Sequence, residues 1–174
     1  MSVRQLLSWL GVDDSRDAQE STPLRDLVET LDRLDPARAR YLARFAYLLG
    51  RVAHADRQVS PEETRAMEAL IVREGGLTAD QATVVVGLAK TSNRLFGGTA
   101  DYQVALEFGD AATYDEKLSL GRCLFAVASS DQQISMAEEA EIHRILNQLR
   151  ILPEDLTKLR VEHGRYLPGR TPRT

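Results

Sequence analysis

An eleven-residue pattern occurs twice in the same register, 75 positions apart: Ala53-x-x-Asp56-x-Gln58-Val59-Ser60-x-x-Glu63 and Ala128-x-x-Asp131-x-Gln133-Ile134-Ser135-x-x-Glu138. Each copy lies between two stretches whose apolar residues recur at helical spacing, with an aspartate at the break and a Ser-x-x-Glu opening the second stretch. A chain that twice runs helix, acidic bend, capped helix is steered toward a helical architecture. In Ser60-Pro61-Glu62-Glu63 the serine hydroxyl is set to accept from a free N–H of the new helix. Proline suits the first helical position, and the glutamate reaches back to the serine N–H. Ser135 and Glu138 repeat the arrangement. Asp56 and Asp131 lie four residues before the caps, so capping does not explain them. An Asx turn that satisfies loop N–H groups does so structurally; ligation does so functionally.

The rest of the chain reads as all-α. Its 174 residues, 43% of them hydrophobic, suffice for one domain that buries about 70% of its unfolded surface. Thr83-Val84-Val85-Val86 is a brief β-branched run without hairpin turns around it. Helices are expected at 3–10, from Thr22 to Leu34, from Pro36 (after an Asp35 cap) to Ala55, and at 61–74, 78–96, 101–108, 114–130, 136–149 and 153–162. Those at 36–55 and 114–130 carry the broadest apolar faces and should be the most buried. Residues 1–21 read as a short amphipathic helix and polar linker, 22–165 as the helical domain, and 166–174 as a tail. Two units are too few for a solenoid, so a compact helical bundle with internal pseudo-two-fold duplication is expected.

Composition excludes several functions. A net charge of −4 with scattered Lys and Arg lacks the footprint of a nucleic-acid binder, and the basic stretch Lys158–Arg173 reads as solvated tail. Cys123, the one cysteine, shares a helical face with Leu120, Leu124 and Val127 and reads as a core thiol. No dinucleotide-binding glycine motif, phosphate loop, His-Glu-x-x-His or nucleophile elbow is present, so the expectation is a non-enzyme, and no small-molecule substrate is identified. His54 has Ser129 as its counterpart, and His143 and His163 have no second histidine at ligand spacing. No apolar stretch spans a bilayer and the N-terminal run is too short for a signal peptide, which points to the cytoplasm.

The two bends resemble the tellurite-resistance TerB-like family of bacterial cytoplasmic proteins, whose motif reads Ala-Asp-Gly-x-(Val/Ile)-Ser-x-x-Glu. This chain matches it as Ala55-Asp56-Arg57-Gln58-Val59-Ser60-Pro61-Glu62-Glu63 and, less closely, as Ser130-Asp131-Gln132-Gln133-Ile134-Ser135-Met136-Ala137-Glu138. The resemblance covers about residues 38–150. It implies an all-helical domain whose acidic bends bind a divalent cation, in resistance and stress loci beside membrane-bound partners, with no established enzyme activity. Arg57 and Gln132 stand where the family has glycine, the residue that takes positive φ at least cost.

A cation also has a physical basis independent of the resemblance. If a pseudo-two-fold axis brings the bends together, Asp56, Glu63, Asp131 and Glu138 place four carboxylates around one point, and such a cluster needs a cation or solvent to stay ionised. Oxygen ligands without a thiol favour Ca²⁺ or Mg²⁺ over zinc. The loop is not an EF-hand, because its twelfth position falls on Met67 in one copy and Ile142 in the other. The competing reading is a metal-independent helical adaptor acting through its surface. It rests on the stripe Val3, Leu6, Leu7 and Leu10 beside Trp9, which is expected to dock on the chain's own core, a protein partner or, last, the inner membrane surface.

Overall fold

The computed structural model describes residues 22–53, 61–91, 99–130 and 132–168. Among these described residues eight α-helices follow one another: α1 (Thr22–Asp32), α2 (Pro36–Gly50), α3 (Pro61–Gly75), α4 (Ala79–Thr91), α5 (Thr99–Ala111), α6 (Tyr114–Ala128), α7 (Met136–Gln148) and α8 (Pro153–Glu162), with a 3₁₀ turn at Gly164–Tyr166. Among the described residues there is no strand, and the all-α bundle expected from the sequence is the observed class. The expected helix at 3–10 lies outside the described residues.

Local chemistry sets the helix ends. The Asp35 carboxylate accepts from the N–H groups of Ala37 (2.9 Å) and Arg38 (3.2 Å), and Pro36 occupies the first turn. Thr113 and Glu116 form a reciprocal capping box on α6. Thr78 and Gln81 do the same before α4. Gly76 closes α3 at φ +64, the left-handed conformation expected of a C-terminal glycine cap. Helix α2 stops at Gly50 rather than continuing to Ala55. The Val52 N–H turns back to the Leu49 carbonyl three residues away (3.1 Å), which tightens the chain into a turn through Ala53.

Helices α2 and α6 form the centre. The former packs against α1, α4, α5 and α6, the latter against α3, α7 and α8 as well. Every residue from Leu42 to Gly50 is buried, as are Leu120, Cys123, Leu124 and Phe125. A helix apolar around most of its circumference has to be enclosed, which is why these two are. Gly121 lets α6 approach its neighbours, since a Cβ there would lie 2.8 Å from Leu159 Cδ1 and 3.2 Å from Leu146 Cδ2.

The helices after the two bends start 75 positions apart, at Pro61 and Met136, in keeping with the repeated motif. Their packing differs. Helix α3 lies on α6, whereas α7 lies chiefly on α5 and α6 rather than on α2, the partner that a two-fold exchange would give it. Packing continues beyond α8: Leu167 is buried, and the Tyr166 carbonyl accepts from the Ile134 N–H at 2.7 Å.

Candidate acidic-bend site

The second bend shows what its described motif positions do. Helix α6 ends at Ala128, whose side chain is in the core, and the Ser129 hydroxyl donates to the Ala126 carbonyl at 3.0 Å. Gln132 follows at φ 63, its N–H donating to the Ser129 carbonyl at 2.9 Å. This is the position that holds glycine in the TerB-like motif, so the bend keeps the left-handed residue and a glutamine bears its steric cost of about 1–2 kcal/mol. Ile134 is fully buried and pins the loop to the core. Ser135 then caps α7: its hydroxyl accepts from the Glu138 N–H (3.2 Å) while the Glu138 carboxylate accepts from the Ser135 N–H (2.7 Å).

The capping role expected of Ser135 and Glu138 is therefore observed, with Glu138 half-buried. Glu63 is exposed in the first turn of α3. Asp56 and Asp131, with Ser60, Arg57 and His54, lie outside the described residues. Among the described residues alone, no three His, Cys, Asp or Glu side chains gather as metal ligands.

The family scan decides the lineage: the chain matches the model of the tellurite resistance protein TerB over residues 42–161. It belongs to the TerB family. Neither a search of curated proteins nor one of solved structures gives a match.

The TerB span begins in the buried part of α2 and takes in both bends. It also contains a polar ladder that the sequence reading missed. Arg44 and Tyr47 on α2 and Arg51 at its C-cap follow at helical spacing and meet acids of α5 and α7. The Arg44 guanidinium pairs with Glu107 at 2.7 Å, and the Tyr47 hydroxyl donates to Asp101 at 2.6 Å. Arg51, its side chain 1% exposed, reaches Glu141 at 2.6 Å and Asp101 at 3.8 Å, and donates to Gln148 at 3.3 Å. Arg144 also pairs with Glu141. Burial, then the hydrogen bond to Asp101, pushes the Tyr47 phenol above its ordinary range. Arg51 sits at the C-cap of α2, just before the first bend, so this network ties the approach to that bend onto α5 and α7. A visible signal existed: the apolar stripe of α2 is broken at i, i+3 and i+7 by Arg44, Tyr47 and Arg51, and a polar row on an otherwise enclosed helix needs buried partners.

Of the remaining titratable candidates, Cys123 and His163 are held in the packing. Cys123 is buried, and burial, with the nearby Glu74 charge, pushes its thiol up to about 12. His163 stacks on Phe125, ring centroids 5.5 Å apart, with Nδ1 3.1 Å from the Leu159 carbonyl oxygen. His143 is half-buried on α7.

Proposed function

We propose that this TerB-family chain is a non-enzymatic module of a tellurite-resistance or stress-response assembly. In this reading it binds a divalent cation, Ca²⁺ or Mg²⁺, through the two acidic bends and docks on a protein partner in the cytoplasm. The observation that carries it is the described part of the second bend: a left-handed Gln132, a buried Ile134 and Ser135 capping α7 fix the backbone that follows position 131. A local cap needs none of the first two. Asp56 and Asp131 are the principal ligands in this reading, and Glu63 and Glu138 add charge from the first turns of α3 and α7.

The test is thermal unfolding against ion concentration. A ligand that binds only the folded state at ten times its Kd adds about 1.4 kcal/mol, a rise in Tm of about 3 °C for a chain of this size. The Asp56→Asn, Asp131→Asn double variant is expected to lose that rise for both ions. A double variant that responds like the wild type removes the bends as the site.

A metal-independent adaptor is the second reading, favoured by two large apolar side chains left in solvent, Met136 (78% exposed) and Val161 (69%). They lie on neighbouring helices, which an Arg160–Glu139 pair joins at 2.6 Å. Here partner binding would be lost on Met136→Glu or on deletion of residues 1–12 while remaining insensitive to chelation. Chelator-sensitive partner binding would instead favour the first reading.

A further inference from the structure

A cleft of about 250 Å³ opens between the N-terminal half of α2, the end of α5 and the first turn of α6. None of its lining residues belongs to the repeated motif. Its floor is aromatic: the Tyr41 and Phe108 rings stack at 5.3 Å with 28° between their planes. Its walls include Ala37, Ala111 and Ala112, whose side chains end at Cβ and so leave the gap between the helices unfilled. Two guanidinium groups line it as well. Arg38 lies 4.7 Å over the Tyr41 ring and donates to the neutral Gln81 side chain at 2.7 Å. Glu116, which also lines the cleft, stands 4.0 Å from it and accepts from the Thr113 N–H of the capping box at 2.8 Å. Arg44, with a side chain 10% exposed, spends one donor on Glu107, and its Nε is enclosed without a partner.

The charge balance follows from these pairings. Partial burial would raise the Glu107 carboxyl, but hydrogen bonds from Gln103 and Arg44 hold it below the usual carboxylate range, so it stays ionised and neutralises Arg44. Arg38, over the aromatic floor, faces one acid, Glu116, at 4.0 Å, whose other carboxylate oxygen is held by the Thr113 cap. An arginine carries five N–H donors in a planar fork suited to a carboxylate, and each arginine here has most of its fork unspent. The volume lies just under the range of about 300–1,000 Å³ that holds drug-sized ligands, so a small molecule fits.

We propose that this cleft binds a small monocarboxylate with a flat apolar body, its carboxylate placed by Arg38 with Arg44 alongside and its body laid on Tyr41 and Phe108. A free phosphate lacks the apolar part that the floor and alanine walls would cover.

The test is an amide NMR titration of the full chain with benzoate as probe, benzamide as its neutral counterpart, and inorganic phosphate. Benzoate should give saturable shifts confined to residues around 37–44 and 108–116, and benzamide should bind at least about ten-fold more weakly, since it forgoes charge-assisted hydrogen bonds. Arg38→Gln should lose about ten-fold in benzoate affinity. Ala111→Leu, at an exposed position on the cleft wall, should abolish binding with Tm unchanged. The proposal is overturned if benzoate gives no saturable shift, if benzamide or phosphate binds equally well, or if Ala111→Leu binds benzoate as the wild type does. The last comparison stands even if Arg38→Gln fails to fold.

Discussion

Replacing Arg51 by methionine keeps the side chain's length and apolar stem and removes its charge, which strands two acids. Glu141 and Asp101, with side chains 18% and 16% exposed, both face the Arg51 guanidinium. Removing one partner of a buried pair costs about 3–5 kcal/mol, because the other charge stays desolvated without compensation. Two contacts reduce the loss: Arg144 remains beside Glu141, and the Tyr47 hydroxyl still donates to Asp101. The lower end, about 3 kcal/mol, is therefore expected. With a urea slope of about 2 kcal/mol per molar, the unfolding midpoint should fall by about 1.5 M. Adding Glu141→Met removes the stranded carboxylate and should recover at least about half of the loss. A single-variant shift below about 0.5 M, or a double variant worse than the sum of the singles, would refute the claim that Arg51 acts by neutralising buried acids.

Leu49→Ala and Leu124→Ala remove fully buried side chains from the two central helices and should each cost about 2–5 kcal/mol, read by urea unfolding. Cys123 should resist alkylation at neutral pH in the folded protein and react once urea unfolds it, since its thiol is enclosed and its pKa is pushed up to about 12; fast native labelling would contradict this. Gln132→Gly should relieve about 1–2 kcal/mol of left-handed strain against about 0.5–1 kcal/mol of added chain entropy, a net gain of up to about 1.5 kcal/mol in unfolding free energy.

The helices were legible because their signals are local. Asp35-Pro36, Thr113-x-x-Glu116 and Ser135-x-x-Glu138 start α2, α6 and α7 where capping chemistry puts them. The breadth of apolar faces likewise identified α2 and α6 as the centre. What local signals could not supply is which helices meet. The motif spacing suggested a two-fold exchange, yet α7 packs chiefly on α5 and α6, because the second unit's contacts depend on surfaces such as Gly121 that have no matching glycine 75 positions earlier. The polar ladder was illegible for the same reason. Arg51 and Glu141 are 90 residues apart, and a charged side chain reads as solvated until the fold brings a partner to it. Of the second bend, the cap by Ser135 and Glu138 was legible, whereas the missing glycine left the backbone open, and Gln132 takes positive φ in its place.

Capping and the proposed cation binding by the same glutamates separate through a single chemical change. In a capping box, glutamine at the third helical position serves as glutamate does, because the bond from the N-cap N–H needs an oxygen and not a charge. Glu138→Gln should therefore preserve the 2.7 Å contact to the Ser135 N–H and lose only the attraction of a carboxylate to the helix N-terminus, about 0.3–1 kcal/mol. Cation affinity depends on ligand charge, so the same substitution, made together with Glu63→Gln, should weaken the ion-dependent rise in Tm several-fold. The aspartates have no capping role to keep them, so Asp56→Asn with Asp131→Asn should remove the rise altogether. If the glutamine pair abolishes the response and the asparagine pair leaves it intact, the aspartates are turn formers and the ions are held at the starts of α3 and α7.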